Sequence, residues 1–374
     1  MTPKIPAAHI SARPYLPGLD VLRFAAALLV MMFHFLFLPW ATKNDNAIIY
    51  IIGHTAPDFT ALWPAAWLGW IGVQIFFVIS GIVIAASAEG RSGAAFARSR
   101  TVRLLPAIFV CATLSLLTGL VTPIHKLSEL LQLYLGTLLI YPHGLNAVYW
   151  TLRIEIVFYL LVALLLWRDK LRWLEPAATI LTALNAAFWL ADCIIPANRI
   201  VYFLHKGGIL RELWFHYGCF FALGIFMWKA ARDGITVPRI LWSMIATVAG
   251  CLQIADFGVP FIAAAQPVLD ATPLTPILVW LVSLVLIQLS LKAPVASADR
   301  PCWRMLRLIG LATYPLYLLH DFSGAALLGA LIKVGLSPLL SVLLAMATCI
   351  AAALLIARYI EPPVASFLRR RLQV

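Results

Sequence analysis

The sequence predicts an all-α, polytopic integral membrane protein with ten transmembrane helices and both termini in the cytoplasm. The first observation is composition: of 374 residues, 63% are hydrophobic and only 12% are charged, whereas soluble domains carry about a quarter charged residues. The second is a set of ten apolar runs, each close to the roughly 20 residues that a membrane-spanning helix needs. They lie near 19–38, 66–88, 103–122, 150–167, 177–195, 209–229, 239–257, 273–291, 306–330 and 336–358.

The distribution of positive charge decides whether a shorter apolar run, 127–142, is an eleventh span. With ten spans and a cytoplasmic N-terminus, 20 of the 28 Lys and Arg residues fall on the inner side, as the positive-inside rule requires. A crossing at 127–142 would invert every later loop and move the basic segment 168–172 outside. We therefore interpret 127–142 as one re-entrant or interfacial helix on the outer side.

The same distribution argues against a nucleic acid as partner, although the formal net charge is +12. The basic residues are spread over every cytoplasmic loop instead of forming one patch. The six cysteines lack the pair spacing of a metal site, so we expect no metal and interpret them as small packing residues. We expect a single transmembrane domain, 1–374, with short cytoplasmic tails at 1–17 and 361–374 and no appended soluble domain.

The first predicted span carries an acid, a base and a histidine within an otherwise apolar helix. Asp20, Arg23 and His34 fall on one side of it, since at about 100° per residue His34 returns to within roughly 20° of the Arg23 face. Along the axis, Arg23 and His34 are about 16 Å apart. Ionisable groups are unfavourable in hydrocarbon, so the set indicates a functional site. A structural ion pair between Asp20 and Arg23 is the simpler alternative for those two residues.

Further polar residues fall at the depth of His34, in the outer half of the membrane. Glu155 lies about one and a half turns below the outer surface in the fourth span. His320 lies in the outer half of the ninth span and Gln74 at a similar level in the second. Polar groups at this depth are expected to face one another or a cavity. Neutralisation of Arg153 by Glu155, and a core hydrogen bond for His320, are the alternatives.

On the cytoplasmic side, two arginines lie at the start of the third span. Arg100 and Arg103 are three residues apart and therefore adjacent on a helix surface. Paired guanidinium groups suit a polyphosphate because each gives bidentate hydrogen bonds, although positive-inside anchoring explains them as well. The second span continues to Ser80 and Gly81, small residues that permit close helix approach. A nucleophilic role for Ser80 is the less favoured interpretation.

Five motifs occur in order from the first predicted span to the ninth. They are GLDVLR (18–23) followed by His34, GVQIFFVISG (72–81), RTVRLLP (100–106), WTLRIE (150–155) and YPLYLLH (314–320). In these residues the chain resembles the membrane-bound acyltransferase-3 family, the integral membrane O-acyltransferases that modify bacterial surface polysaccharides. Ten spans is also that family's usual count. Some members carry a C-terminal extracytoplasmic esterase-like domain, which we do not expect in this chain.

The resemblance implies transfer of an acetyl or other acyl group from cytoplasmic acyl-CoA to a hydroxyl of a carbohydrate or lipid-linked glycan. It places the protein in the bacterial inner membrane. Arg100 and Arg103 would hold the CoA phosphates, with Arg23 and Ser80 further along the donor path. His34 would act as general base, because an imidazole titrates near neutral pH.

The resemblance leaves the supporting roles open. Glu155 would orient His34 and stabilise its cationic form. The candidates for the acceptor or oxyanion site are Gln74, Trp150, Arg153, His320 and Asp20. Direct transfer and an acyl-histidine intermediate are both compatible with the residues. Two other functions are a transporter or flippase of an anionic or acylated glycan, and an acyltransferase acting on a secreted small molecule such as a macrolide.

Overall fold

The described part of the chain consists of helices joined by short connections, which confirms the all-α membrane class. A computed structural model describes residues 15–41, 47–52, 59–122, 125–141, 144–168, 170–195, 212–293 and 300–372. No β-strand occurs in these ranges. Residues 1–14 of the expected N-terminal tail, residues 373–374 of the C-terminal tail and residues 142–143 of the run 127–142 lie outside them.

Nine helices in the described ranges are long and apolar enough to cross a membrane. We number the major helices in chain order, with the short α4 and the more polar α7 included. They are α1 (Pro17–Ala41), α2 (Thr60–Ala88), α3 (Gly93–Val121), α4 (Leu127–Leu138), α5 (Ala147–Trp167), α6 (Leu171–Ile194), α7 (Gly218–Asp233), α8 (Val237–Phe257), α9 (Leu274–Leu291), α10 (Pro301–Lys333) and α11 (Pro338–Leu372).

The expected span 209–229 corresponds to α7 and the π-helical turn that precedes it, Glu212–Tyr217. Residues 209–211 lie outside the described ranges, and α7 is not among the nine apolar helices. Its residues 217–227 are nevertheless buried between other helices. The count of ten crossings therefore stays a prediction, with nine of the ten expected spans matched by long apolar helices.

Two helices extend beyond the ranges that the sequence suggests for the membrane spans. Helix α3 begins at Gly93, ten residues before the expected span, because Ser92 caps its first turn by accepting a hydrogen bond from the Ala95 amide at 3.3 Å. The expected tail at 361–374 is helical to Leu372. The Pro-Pro pair follows a π-helical turn at Ile356–Ile360 and lies in the first turn of the α-helical segment Glu361–Leu372, where proline is compatible with a helix. It therefore does not end α11.

Helix α4 covers most of the run 127–142 and is too short to cross the bilayer. Its 12 residues extend about 18 Å, against a hydrocarbon core of about 30 Å. Leu127, Leu131 and Leu135 are exposed at intervals of four residues, which places them on one face of the helix. These features fit an interfacial helix, and its position on the outer side stays a prediction.

Helix α2 is the most enclosed of the nine apolar helices, with 72% of its most apolar window buried. It crosses α7 where Gly81 faces Gly224. A Cβ added at Gly81 would meet the carbonyl oxygen of Phe221, and one added at Gly224 would meet that of Val78. The two backbones are therefore in contact, as the small residues in this part of the sequence predict.

We expect Gly81→Leu to separate α2 from α7 and to destabilise the protein. Overpacking of a close contact typically costs about 1–3 kcal/mol, and here the obstacle is backbone, which has little freedom to move aside. Thermal unfolding of the purified protein in detergent measures the effect. Ala94→Leu, at an exposed position of α3, is the matched control and should leave the melting temperature unchanged. Equal melting temperatures for both variants would refute this account of the crossing.

Candidate functional site

Two histidines from distant parts of the chain lie in π-helical turns that interrupt otherwise regular spans. Phe33–Phe37 forms such a turn in α1, and His320–Gly324 forms one in α10. Single π-helical turns within α-helices are rare and occur frequently at functional sites. His34 is half-buried, and His320 is fully buried. Both spans therefore depart from regular α geometry at the residues that carry the imidazoles.

The two imidazoles are in direct contact. Nε2 of His320 lies 3.3 Å from Nδ1 of His34, and the ring centroids are 4.9 Å apart. Each ring is also held by its own helix. Nδ1 of His34 lies 2.8 Å from the carbonyl oxygen of Val30, and Nδ1 of His320 lies 3.3 Å from that of Leu316. The structure thus joins two histidines that the sequence places at one depth.

These contacts assign the tautomers of the neutral histidine pair. A carbonyl oxygen only accepts hydrogen bonds, so Nδ1 of each ring carries the proton. Nε2 of His320 is then an acceptor that faces the Nδ1–H of His34. Nε2 of His34 keeps its lone pair and has no hydrogen-bond partner among the residues that the structure describes. His34 is therefore held through one nitrogen while the other is available as a base.

Asp321 joins the π-helical turn of α10 to the start of α5. Its carboxylate accepts hydrogen bonds from the backbone amides of Ala147 at 2.7 Å and Val148 at 3.4 Å. Amides at the start of a helix lack intrahelical acceptors, so a carboxylate is favoured there. The hydroxyl of Tyr317 adds a second link by donating to the Val148 carbonyl at 3.3 Å. These bonds fix α10 against α5 beside His320.

Glu155 belongs to a separate cluster. Its carboxylate accepts hydrogen bonds from the hydroxyls of Ser80 at 2.8 Å and Tyr159 at 2.6 Å. The hydrogen bonds described for His34 run to Val30 and His320 and not to Glu155, which corrects the expectation that Glu155 orients His34. The physical reason is that Glu155 lies at the level of Arg23, with which it lines the same cavity, and Arg23 is about 16 Å from His34 along the helix axis.

Three other predicted residues have surroundings of their own. Gln74 is buried and donates to Oε1 of Gln253 at 3.4 Å. Trp150 packs against Tyr217, with ring centroids 5.3 Å apart. Nε of Arg153 is buried without a hydrogen-bond partner in the described part of the chain. No described hydrogen bond or ring contact joins these three residues to the histidine pair.

Asp20 and Arg23 have different surroundings. The carboxylate of Asp20 accepts a hydrogen bond from the Tyr15 hydroxyl at 2.9 Å. It also packs directly on Gly310 of α10, where an added Cβ would meet the carboxylate. Arg23 lines a large cavity. Asp20 thus helps to hold α1 against α10, and Arg23 belongs to a candidate binding site.

This cavity has a volume of about 610 Å³ and lies between α1, α2, α3, α5, α10 and the C-terminal end of α11. The charged residues that line it are Arg23, Arg100, Arg103, Arg307, Arg369, Glu155 and Glu361. Five guanidinium groups against two carboxylates give it a positive excess, which favours an anionic ligand. The structure therefore brings Arg100, Arg103, Arg23 and Ser80 together around one space, although they come from three helices.

Arg100 is positioned by aromatic rings rather than by a carboxylate. Its guanidinium carbon lies 5.5 Å from the ring centroid of Phe96 and 5.8 Å from that of Tyr159. Its Nε is buried and has no hydrogen-bond partner among the described residues. Cation–π contacts orient a guanidinium without neutralising its charge. Arg100 therefore retains both charge and donors for a ligand.

Arg103 is held by the two helices opposite it. Its Nη1 lies 3.2 Å from Oε2 of Glu361 at the C-terminal end of α11. Its Nη2 donates to the carbonyl oxygen of Leu311 at 3.5 Å. Pro315 lies four residues after Leu311 and has no amide hydrogen, so this carbonyl lacks its helical donor. Arg103 supplies the missing donor.

A narrow branch of about 50 Å³ adjoins the large cavity. Arg23 and Glu155 line both spaces. Further along, the branch is lined by Phe76 and Tyr317, whose ring centroids are 5.7 Å apart. The Tyr317 ring centroid in turn lies 5.6 Å from that of His320. The lining of the branch thus reaches Tyr317, whose ring contacts His320, and neither histidine lines the branch itself.

Comparison with known proteins identifies the class of chemistry. A family model described as an acyltransferase domain (Acyl_transf_3) matches residues 16–358, which is most of the chain. The chain belongs to this acyltransferase family. The match confirms the resemblance that the five sequence motifs indicate, and the helices confirm a multi-pass membrane protein.

A curated relative gives a weaker likeness to this acyltransferase. Nodulation protein 10 of Rhizobium leguminosarum bv. viciae is 27% identical over 221 residues, which cover 49% of this chain and 58% of that protein. The chain therefore matches less than two thirds of the relative's length. No solved structure matches the chain.

Sequence reasoning missed several residues of the site. Tyr159 follows Glu155 by four residues, so helical spacing alone could have paired them. Arg307 and Arg369 line the cavity, and nothing in the sequence distinguishes them from the other basic residues of the inner side. Glu361 was placed in a tail. No group of three or more side chains suited to a metal ion occurs in the residues that the structure describes.

We expect His320 to act as a positioning residue for His34 in this acyltransferase. His320→Phe keeps the ring volume but removes the Nε2 acceptor, so kcat should fall by about ten- to a hundredfold while KM for the donor changes little. His320→Gln retains an acceptor oxygen and should recover part of the rate. Steady-state acyl transfer by the purified variants measures both parameters. Equal losses in the two variants, or a loss confined to KM, would contradict the assignment.

Proposed function

We propose that this acyltransferase moves an acyl group, acetyl in the simplest case, from acyl-CoA to a hydroxyl of a carbohydrate or lipid-linked glycan. The donor enters from the cytoplasm, and His34 acts as general base near the outer side. The observation that carries the proposal is the contact of the His34–His320 pair with Tyr317, which lines the narrow branch of an arginine-lined cavity. It combines a base with a binding site for an anionic donor.

The chemistry of coenzyme A supports its assignment to the large cavity. Its nucleotide end carries a diphosphate and a 3′-phosphate, and its thioester lies at the end of a long, uncharged pantetheine arm. Arg100 and Arg103 suit the phosphates because guanidinium groups bind phosphate oxygens bidentately. Arg23 and Ser80 line the junction with the narrow branch. The arm would pass this junction towards the histidines.

His34 then carries the chemical step. Its Nε2 removes the proton of the acceptor hydroxyl, and the oxygen attacks the thioester carbonyl. The resulting imidazolium keeps its Nδ1–H bonds to the carbonyl of Val30 and to Nε2 of His320, which disperse its charge. When the carbon–sulfur bond breaks, the sulfur leaves with the proton from Nε2. The ester product and free CoA account for all atoms, and His34 returns to its neutral form.

The acceptor side is assigned from residues that still have free binding capacity. Trp150 and Tyr217 form an aromatic pair, and aromatic rings present large apolar faces next to polar groups, which suits a sugar ring. Arg153 adds a buried donor without a described partner. Gln74 and Asp20 already make hydrogen bonds, so we give them lower priority as oxyanion or acceptor groups.

Membership of an acyltransferase family favours this function over a transporter or flippase. We propose the bacterial inner membrane as its location. The alternative acceptor is a secreted small molecule such as a macrolide. Mass spectrometry of cells with and without the gene distinguishes it from a glycan acceptor. A glycan that gains the mass of one acetyl group only when the gene is present supports the glycan acceptor. The same mass gain on a secreted small molecule would show that this molecule, and not a glycan, is the acceptor.

We expect His34→Ala to abolish acyl transfer while the protein still folds, because the proposed mechanism takes the hydroxyl proton on the free Nε2 of His34. The measurement is product formation from radiolabelled acetyl-CoA in membranes that contain equal amounts of protein. His125→Gln is the matched control, since His125 lies in a connection and pairs with Glu129 at 3.2 Å. Full activity of His34→Ala would exclude the proposed base.

We expect Arg100→Gln to raise KM for acetyl-CoA by about tenfold, because a charge-assisted hydrogen bond contributes about 1.5–3 kcal/mol. The effect on kcat should be smaller. Initial rates at varied acetyl-CoA concentration measure it, supported by the thermal shift that coenzyme A produces. Arg172→Gln makes the same charge change at an exposed position that does not line the cavity. An unchanged KM in Arg100→Gln would leave Arg100 with an anchoring role only.

A further inference from the structure

The C-terminal end of α11, Glu361–Leu372, presents one helical face to the large cavity. Its lining residues are Glu361, Pro362, Ala365, Ser366 and Arg369. Positions that recur after three and four residues lie on the same side of an α-helix. This segment, which the sequence suggests is a tail, is therefore a wall of the cavity.

An ion pair fixes this wall at its first turn. Oε2 of Glu361 lies 3.2 Å from Nη1 of Arg103, and the side chains are only 10% and 27% exposed. Arg369 lies eight residues after Glu361, which is about 12 Å along the helix. Its side chain is exposed and belongs to the cavity lining. The ion pair thus places Arg369 at the open mouth of the cavity.

The cavity has two tiers of positive charge. Arg100 and Arg103 are half-buried in its interior, whereas Arg307 and Arg369 are exposed at its mouth. A ligand that satisfies both tiers needs two separate anionic groups. Coenzyme A has this arrangement, because its 3′-phosphate and its diphosphate are attached to different carbons of one ribose. The 3′-phosphate is a phosphomonoester with more charge per phosphorus and three terminal oxygens.

We propose that Arg369 on the C-terminal helix binds the 3′-phosphate of the donor, while Arg100 and Arg103 bind its diphosphate. This assignment rests on the proposed function, since it needs coenzyme A in the large cavity. It makes the C-terminal helix part of the donor site. It also gives the enzyme a means of distinguishing coenzyme A from its 3′-dephospho form at a point remote from the thioester.

The neighbours of Arg369 provide a matched control. Arg369, Arg370 and Arg371 are consecutive, and all three would serve equally as positive-inside anchors that contact lipid phosphates. Successive helical residues point about 100° apart, and Arg369 is the member of this trio that lines the cavity. The guanidinium of Arg371 lies 5.5 Å from the Phe367 ring centroid, so Arg370 is the cleaner comparison.

The test compares coenzyme A with 3′-dephospho-coenzyme A as ligands of the full-length protein in nanodiscs. Dissociation constants are measured by calorimetry for wild type, Arg369→Gln, Arg369→Lys and Arg370→Gln. We expect wild type and Arg370→Gln to prefer coenzyme A. Arg369→Gln should bind coenzyme A about tenfold more weakly and 3′-dephospho-coenzyme A unchanged. Arg369→Lys should keep part of the preference because it keeps the charge.

The outcomes separate the two proposals. Arg100→Gln is measured alongside: about tenfold weaker binding of both ligands in this variant, with the preference lost only in Arg369→Gln, supports both proposals. Absence of coenzyme A binding in the wild type would overturn the proposed function itself. Equal affinity of the wild type for the two ligands would overturn the Arg369 assignment alone, even if Arg369→Gln failed to fold. A preference for coenzyme A that is retained in Arg369→Gln would also overturn the Arg369 assignment. If that variant changed only the melting temperature of the ligand-free protein in anionic lipid, Arg369 would be a lipid anchor and the assignment would be overturned as well.

Discussion

A polar ring inside an apolar helix needs a hydrogen-bond partner from the protein, because the membrane supplies none. The hydrogen bond between His34 and His320 meets this requirement. Each imidazole uses Nδ1 on a carbonyl four residues earlier in its own helix, which is a carbonyl that a regular α-helix would already occupy. The π-helical turns at Phe33–Phe37 and His320–Gly324 change this hydrogen-bond pattern. The two carbonyls also accept backbone N–H bonds, Val30 from Phe33 and Leu316 from His320, so each imidazole shares its acceptor with the helix.

The sequence predicted the membrane class, the spans and the cationic site better than it predicted the contacts within the site. Arg100 and Arg103 could be placed side by side because helical spacing is a local property. The pairing of Glu155 with Ser80 rather than with His34 depends on how α2 and α5 are rotated about their axes, and hydropathy carries little information on rotation in spans that are apolar on most sides. The depth of Glu155 also differs from the expectation, because Glu155 lies at the level of Arg23 and Ser80 and not at that of His34.

The C-terminal end of α11 shows a second limit of sequence reasoning. A Pro-Pro pair followed by a basic segment usually indicates that a span has ended, and here it did lead to the prediction of a tail. The deciding contact, between Glu361 and Arg103, joins positions 258 residues apart. Such an ion pair contributes little to stability at an exposed surface. In a partly buried position, each charge offsets the desolvation cost of the other.

The division of the cavity into a wide polar chamber and a narrow aromatic branch suits acyl transfer better than simple binding. A thioester is open to hydrolysis, and a site that excludes water from the reacting carbonyl suppresses that side reaction. The wide chamber needs water and counterions to admit a polyanion. The branch between Phe76 and Tyr317 has room for little water. Under the proposed function, the arginines attract the donor where water is plentiful, and the base acts where water is scarce. The length of the pantetheine arm lets one enzyme satisfy both requirements in a single bound molecule.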